Sequence, residues 1–390
     1  MAIFAMNACS LQIDNLLLAE ASRAILALRY HKSSSTEDNA SVCYRAFWTV
    51  YHMDKQYNFQ ARSSSTISDL DVGCPIPPTP DSIVNGYDWF ITSIRISRIF
   101  SIAYDSFFSV TASTQSAAFL LPAINQIQNM LEDWRHSIPL AYRPREALQR
   151  TVFTELGTKD IAIRTHFYYL HLVIALERMK LHLSSEKQTT DESLRTLLSA
   201  ARTVVELTRF IDVEPYTPVF ILAIMPLSAL FILFDFVIHN PTHPDTRQHI
   251  TMLDIVSGHF GLLDHVSGGV LPGNYLSRFG HLARQYAEII SSQSSNIMRT
   301  DTSAIVEEGR SSLNPAVDAD NTQVNDTTAS GSQYARGELD QDPLTDFDTY
   351  CDITADNSSL CSMELWPAPL QMENEAGMGA LFGSALSRMN

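Results

Sequence analysis

Apolar residues recur at helical spacing along most of the first 297 residues. The clearest case is the segment 115–136, where five large apolar residues follow one another at intervals of four, three, four and three. This spacing places all five on one face of an α-helix, the face expected to lie against a core. The five residues are Leu120, Ile124, Ile127, Leu131 and Trp134.

The same periodicity predicts helices elsewhere, whereas alternation at the strand period of two is nearly absent. In the first predicted helix the expected buried stripe is Ile13, Leu17, Ala21, Ala24 and Leu28. We therefore predict an all-α protein, with a single large domain of about nine or ten helices at residues 8–297. The further predicted helices cover 11–30, 42–61, 87–108, 161–183, 191–211, 216–239, 244–265 and 276–290.

Two of these segments carry additional expectations. Asp191 is expected to cap the helix that follows it, because a carboxylate accepts hydrogen bonds from free N–H groups at a helix start. Segment 216–239 is apolar enough to suggest a membrane span, but Pro226 interrupts it and Asp235 follows before twenty apolar residues accumulate. We favour a core helix over a membrane span.

An aromatic helix followed by a proline-rich loop occupies residues 42–80, VCYRAFWTVYHMDKQYNFQARSSSTISDLDVGCPIPPTP. Arg45, Thr49, His52 and Gln56 are spaced to form one polar stripe on this helix, and the large aromatic residues lie off it. The helix is expected to end at the polar run after Ala61, and the prolines beyond Gly73 keep the chain extended. The helix should therefore bury its aromatic side.

This unit resembles the core of the fungal-specific transcription factor regulatory domain, the middle homology region of fungal zinc-cluster regulators. That family shows an aromatic helix R-x-F-W-x-x-Y-x-x-D, a Gly-Arg-Pro turn and then I-x-D-x-D-(I/V)-x-x-P-x-P. Here the turn departs from the pattern and reads Ala-Arg-Ser. The positions that carry the resemblance are Arg45, Phe47, Trp48, Tyr51 and Asp54 in the helix and Arg62, Ile67, Asp69, Asp71, Val72, Pro75 and Pro77 after it.

The resemblance implies a nuclear regulator of RNA polymerase II transcription, acting on metabolic or biosynthetic genes, that binds DNA through a zinc cluster and responds to a small-molecule effector. The six-cysteine zinc cluster is not found in this sequence, so zinc and direct DNA binding are implied by resemblance alone. Either the chain is part of a longer factor or it is a co-regulator without the cluster. The first residues also lack the basic start of a signal peptide.

Within the loop we expect Arg62, Asp69 and Asp71 to form salt bridges that fix it to the domain; the alternative is that the loop lines a ligand or partner pocket. No catalytic residues, cofactor site or metal site are predicted. The five cysteines form no C-x-x-C pair, and their odd, scattered number suits a reducing compartment. The histidines between 239 and 265 accompany no metal-binding motif and are interpreted as surface or half-buried side chains.

Charge is distributed unevenly along the chain. Residues 301–390 hold 16 Asp and Glu against 3 Lys and Arg, a net charge of −13, whereas the first 300 residues hold 27 against 24. No segment is basic enough to indicate a surface for DNA. Residues 298–390 are also poor in apolar residues, which predicts a disordered acidic tail.

One part of the tail, residues 340–366, is richer in bulky apolar groups set among acidic ones, which is typical of a transcriptional activation segment. The alternative is an acidic tail without function. If the segment is an activator, its partner is a transcription co-activator. A helical small-molecule-binding protein or enzyme without a recognisable motif stays the alternative for the chain as a whole. The apolar residues concerned are Leu344, Phe347, Tyr350, Leu365 and Trp366, with Leu360 beside them.

Overall fold

The computed structural model describes residues 11–33, 39–148, 157–184, 186–214, 217–268, 273–290 and 292. These residues form an all-α fold, as the sequence predicts. The tail 298–390, with its possible activation segment, lies outside the described residues.

The helices, numbered in chain order, have the following bounds. They are α1 Leu11–Ala27, α2 Ala40–Ala61, α3 Trp89–Phe107, α4 Val110–Ser113, α5 Ala117–His136, α6 Thr158–Leu183, α7 Lys187–Thr208, α8 Met225–His239, α9 Thr246–Val266, α10 Gly273–Leu276 and α11, residues 279–290. Short 3-10 turns cover Asp69–Asp71, Pro80–Ser82 and Leu140–Tyr142, and a π-helix, Phe220–Ile224, leads into α8.

Successive long helices pack against one another in chain order, from α1 on α2 and α2 on α3 to α8 on α9, with the short α4 lying beside α3. The long helix α6 touches α3, α5 and α7 and is buried around most of its circumference. One large apolar core runs from α3 to α11. A smaller cluster, built from α1, α2, the loop after α2 and the start of α3, lies beside it. The candidate site lies in this smaller cluster.

Helix α5 behaves as its periodicity predicts. The five apolar residues of its predicted stripe are its five buried residues. The Tyr169 hydroxyl of α6 donates a 2.5 Å hydrogen bond to Glu132 of α5. A polar contact thus joins α5 to α6 in addition to the apolar packing. A regular apolar stripe packed against neighbouring helices, here α3 and α6, is the case in which sequence alone is enough.

The buried face of α1 differs from the prediction. Leu18, Ser22 and Ile25 are buried, whereas Ala24 and Leu28 of the predicted stripe are exposed. The reason lies in α2: the Ser22 hydroxyl donates a 3.2 Å hydrogen bond to the buried carboxylate of Asp54. A polar residue is thus turned inward because it has a buried partner, and the helix is rotated accordingly.

The polar stripe predicted for α2 is correct only in its first half. Arg45 is exposed, but Gln56 is buried at 5% exposure, as are Asp54 and Lys55 beside it. Gln56 donates to the side-chain oxygen of Gln60 over 3.2 Å, so its amide has a partner within the helix. The second half of α2 lies between the loop, α1 and α3 and has no solvent-facing side.

A small β-hairpin precedes α3, in a region where the sequence predicts no strand. Ile83–Val84 pairs antiparallel with Tyr87–Asp88 across the turn Asn85-Gly86. Both turn residues have positive φ, 51° and 77°, which fits the Asn-Gly preference of a type I′ turn. The Asp88 side chain then accepts from the Ile91 N–H over 3.1 Å and caps α3. Helix α3 therefore begins two residues later than predicted.

Two helix boundaries also differ from the prediction. Helix α7 begins at Lys187 after Glu186, so Asp191 lies in the second turn and does not cap it. The segment predicted as one helix over 276–290 is two helices, α10 and α11, with a break at 277–278. Gly280 follows the break because a Cβ there would lie 2.7 Å from a side-chain oxygen of Asp254 on α9. The close approach of α11 to α9 thus needs glycine at this position.

Within the segment predicted at 216–239, residues 220–239 form the π-helix and α8, and most of them are buried in the large core. Pro226 has no N–H to donate to the carbonyl of Leu222, four residues earlier. His259 of α9 takes the place of that donor, because its Nε2 lies 2.7 Å from the Leu222 carbonyl oxygen. The proline is therefore tolerated in a core helix, because a neighbouring side chain binds the Leu222 carbonyl that Pro226 leaves without a backbone donor.

Among the described residues, one helical stretch, Phe220–His239, is long and apolar enough to cross a membrane by composition. In the structure 78% of that window is buried inside the protein. Its apolar surface is thus covered by α7, α9 and α6 and not by lipid.

Candidate functional site

The residues that carry the family resemblance meet where the loop after α2 crosses α2 and α3. We call the polar contacts between loop and helices the loop clamp: Tyr51, Asp54 and Lys55 of α2, Asp69 of the loop and Ser101 of α3. Helix α2 ends at Ala61, and the next residue, Arg62, caps it with a left-handed φ of 51° and donates its N–H to the Phe59 carbonyl. Ser63 donates to the Asn58 carbonyl over 2.9 Å. This turn sends the chain back along its own helix.

Asp54 anchors the start of the loop. Its carboxylate is buried at 1% exposure and accepts from Ser22, from the Asn58 amide over 3.1 Å and from the Thr66 N–H over 3.4 Å. The Ser65 hydroxyl is a further donor. A buried carboxylate without a cation must be satisfied by hydrogen bonds, and here α1 and α2 contribute one donor each and the loop contributes two.

Asp69 and Lys55 fasten the next part of the loop. The Lys55 Nζ lies 3.1 Å from an Asp69 carboxylate oxygen, 2.6 Å from the Ile67 carbonyl and 3.0 Å from the Ser101 hydroxyl. The Tyr51 and Ser101 hydroxyls also donate to Asp69. The Lys55 side chain is only 3% exposed and that of Asp69 is 40% exposed. The ammonium therefore depends on protein groups, while water reaches the carboxylate.

These contacts shift the pKa values of Asp69 and of Tyr51, which donates a hydrogen bond to it. Burial alone would raise the pKa of Asp69, but the hydrogen bonds from Ser101 and Tyr51 and the charge of Lys55 together hold this pKa below its usual range. Burial, and then the bond to the negative Asp69, raise the pKa of the Tyr51 phenol far above its ordinary value. At neutral pH Asp69 is ionised and Tyr51 is a donor.

Aromatic packing holds the rest of the loop. Phe47, Trp48 and Tyr51 are buried, and Ile67 of the loop packs against them. The Trp48 indole N–H donates over 3.0 Å to the carbonyl of Pro75, which fixes the proline-rich segment against α2. Pro77 is buried and Pro75 is exposed. The predicted burial of Trp48 is confirmed at 1% exposure.

The remaining charged motif residues lie nearer the surface. Arg45 pairs with Asp81 over 2.5 Å, with both side chains about half exposed. Asp71 lies 3.8 Å from Lys32, which follows α1. Arg62 forms no salt bridge with Asp69 or Asp71 among the described residues; its guanidinium stacks on Phe108, and burial lowers its pKa to about 10. Exposed pairs of this kind contribute little to stability.

The sequence pattern missed Lys55 and Ser101 of the clamp, and also Ser22 and Ser65, which donate to its Asp54. Serine and lysine carry no periodic signal, because their burial depends on a partner in another element. Tyr51, Asp54 and Asp69 were found only through the family resemblance. The carboxylates of Asp54 and Asp69 and the ammonium of Lys55 all bind other protein groups, and these contacts hold the loop against the helices.

The histidines near α8 and α9 do not form a cluster. His259 binds Leu222, His239 lies beside Asp235, and His249 is buried against Phe236 with ring centroids 4.7 Å apart. Within the described part of the chain no three His, Cys, Asp or Glu side chains are grouped to hold a metal ion. The residues proposed for the activation segment lie outside the described residues.

Sequence comparison adds a relationship to curated proteins. The chain is 26% identical over 239 residues to an "ABC-transporter-regulating transcription factor" of Aspergillus fumigatus and, to the same extent, to a protein of that name from Aspergillus oryzae. This chain is similar to fungal transcription factors. Each match covers 54% of this chain but only 26% of the length of the relative. No family model and no solved structure matches the chain.

Proposed function

We propose that this chain acts as a fungal transcription regulator in the nucleus, without catalytic activity of its own. The observation that supports this most directly is the 26% identity over 239 residues to two proteins named as transcription factors. Their names favour genes of ABC transporters as targets over other metabolic or biosynthetic genes. The other function class, a helical small-molecule-binding protein or enzyme, has no comparable observation in its favour.

We assign residues 8–297 to a middle homology domain of the kind found in zinc-cluster regulators. The loop clamp supports this assignment, because the motif positions Tyr51, Asp54 and Asp69 have a shared physical task, which is to fix the loop to α1, α2 and α3. Such a domain serves as a rigid helical scaffold. A small-molecule effector stays a proposal drawn from the resemblance.

DNA binding and zinc would come from a module outside this sequence. The relatives are much longer than the matched segment, which leaves room for such a module in them. The sequence contains no strongly basic segment and no cysteine cluster. We expect the purified chain to show no sequence-selective binding to duplex DNA in a gel-shift titration; a salt-dependent, sequence-selective shift at nanomolar protein would contradict this.

The acidic tail is proposed to contact co-activators through residues 340–366. Aromatic and leucine side chains would enter an apolar groove of the partner, while the acidic residues speed the approach. The test is a fusion of this segment to a foreign DNA-binding domain, which should activate a reporter gene. Replacing Phe347 and Trp366 by Ala should abolish most of the activity.

The matched control replaces Asp346 and Asp348 by Asn, which should reduce activity less, because charge assists encounter more than it stabilises the complex. An inert fusion, or one indifferent to loss of the aromatic side chains, would leave the tail without an activating role. The proposed regulator would then depend on the helical domain alone.

A further inference from the structure

Helix α5 carries no charged residue over its first turns. Residues 106–131 are the longest run of the sequence without Asp, Glu, Lys or Arg, although 18% of the whole chain is charged, which would be about five residues in a run of this length. The apolar stripe of α5 packs on α3 and α6, and the opposite side of the helix faces solvent. Such a side is unusual without charge, because the outer faces of surface helices ordinarily carry charged residues.

The solvent-facing side of α5, which we call the neutral face, combines apolar groups with amides. Its Phe119 is 59% exposed, and Val110 of the adjoining α4 is 86% exposed. The cores of protein–protein interfaces are depleted in charged residues and enriched in aromatic ones. The neutral face therefore has the composition of a contact surface. Its members, at helical spacing, are Ala118, Phe119, Pro122, Asn125, Gln126 and Asn129.

Pro122 adds a backbone acceptor to the neutral face. Proline has no N–H to donate to the carbonyl of Ala118, four residues earlier in the helix. In α8 the corresponding carbonyl beside Pro226 binds His259, whereas no side chain within the described ranges donates to the Ala118 carbonyl. Ala118 and Pro122 are both exposed, so a donor from another molecule can reach this oxygen.

We propose that the neutral face binds the neutral face of a second copy of this chain, with the two α5 helices antiparallel. In a twofold contact the same patch of both copies meets itself, so any charge near the axis lies close to an identical charge and repels it. A face without charge avoids this repulsion, which favours a second copy over a partner recognised by charge. The contact involves the helical domain alone and does not depend on the proposed function.

One antiparallel alignment brings the neutral face onto itself. It sets Phe119 opposite Asn129 of the second copy and Pro122 opposite Gln126 of the second copy. The Gln126 amide is then placed to donate to the Ala118 carbonyl that Pro122 leaves without a backbone donor. Each member of the alignment occurs twice, because the twofold axis repeats it.

The same alignment separates the acids that follow the neutral face. Asp133 is exposed on the last turns of α5 and lies opposite Gln115 of the second copy, just before the start of the other α5. A carboxylate there meets the positive end of a helix dipole and no other acid. The ends of the contact are thus complementary in charge, while its centre is neutral.

Sedimentation equilibrium of the full chain tests the contact. We expect a monomer–dimer equilibrium with a dissociation constant of micromolar order, because one helix pair buries less than the roughly 800 Å² per partner of a standard interface. Phe119→Glu and Asn129→Lys should each raise this constant by about tenfold or more, since each places a charge without a counter-charge in the centre of the contact. The control Ser199→Glu, at an exposed position of α7, should leave it unchanged.

An equimolar mixture of the Phe119→Glu and Asn129→Lys chains tests the alignment. In a mixed dimer the introduced carboxylate faces the introduced ammonium, and the second such pair of positions keeps its native residues. The mixture should therefore associate with a dissociation constant within about threefold of the native one, although neither variant associates well alone. Far-UV circular dichroism checks that each variant keeps its helical fold.

Three results would overturn the proposal. The first is a native chain that stays monomeric up to about 100 µM, which would leave the neutral face to a different partner. The second is a dimer that neither charge substitution weakens, or that Ser199→Glu weakens equally, because the contact would then lie elsewhere. The third is a mixture that associates no better than the separate variants, because the two α5 helices would then not be antiparallel in this alignment.

Discussion

The ion pair between Lys55 and Asp69 makes an asymmetric prediction about stability. Asp69→Asn leaves the Lys55 ammonium, 3% exposed, without its counter-charge. Removing one partner of a buried pair costs about 3–5 kcal/mol, and the 40% exposure of the Asp69 side chain shifts the expected cost toward about 2–4 kcal/mol, because water partly replaces the carboxylate. The Lys55 ammonium then stays buried with only neutral partners, the Ile67 carbonyl and the Ser101 hydroxyl, which is the expensive outcome.

Lys55→Met should be the milder change. It removes two hydrogen bonds, to the Ile67 carbonyl and the Ser101 hydroxyl, at about 0.5–1.5 kcal/mol each. Methionine refills the space and needs no desolvation of a charge, and Asp69 keeps Tyr51, Ser101 and water as donors. We expect a net loss of about 1 kcal/mol, well below that of Asp69→Asn.

Urea unfolding of the full chain, followed by far-UV circular dichroism, measures both changes in the free energy of unfolding. The double variant should be more stable than the sum of the two single losses implies, by about 0.5–3 kcal/mol, because the orphaned charge is gone. Equal costs for the two single variants, or a larger cost for Lys55→Met, would refute the view that the clamp is an ion pair whose buried member is the lysine.

Three further predictions use the same assay. Trp48→Ala should lower the free energy of unfolding by about 3–5 kcal/mol, since the indole is 1% exposed. The control Val42→Ala, at a position of the same helix that is 67% exposed, should cost under about 0.5 kcal/mol. Equal unfolding midpoints for the two variants would contradict the packing of α2. Gly280→Ala should destabilise the protein by about 1–3 kcal/mol because its Cβ would meet Asp254. In the control Gly258→Ala the new Cβ meets nothing within 4 Å, so the change should be neutral or stabilise by up to about 1 kcal/mol. A harmless Gly280→Ala would argue against the close contact of α11 with α9. The free energy of unfolding should also fall between pH 7.5 and 5, because burial lowers the pKa of three histidines, His52, His166 and His249, to about 4. A histidine whose folded pKa lies below its unfolded value of about 6.5 favours folding only while it is neutral. Its contribution is therefore lost as the pH falls from about 6.5 toward 4. The raised pKa of Glu177 acts in the opposite direction, and a urea midpoint that stays constant over this range would refute the dominance of the histidines.

Sequence by itself determined the all-α class and the course of most of the long helices. The periodic stripe of α5 was sufficient because an apolar residue is driven from water wherever it finds a neighbour, so its burial needs no specific partner. The same reasoning placed Trp48 inside and favoured a core position for α8 over a membrane span. The sequence also located the motif between Arg45 and Pro77 through its resemblance to a known family. It did not show which hydrogen bonds and ion pairs join the motif residues.

Only the tertiary structure decided which polar groups are buried. Ser22 and Gln56 point inward, Asp54 and Lys55 lie in the core, and His259 completes the backbone of α8 beside Pro226. Except for Gln56, whose amide binds Gln60 of the same helix, each of these residues has a partner in another element, because a buried polar group is tolerated only where donor and acceptor meet at about 3 Å. Such meetings leave no periodic trace along the chain, and they become visible only when the helices are assembled.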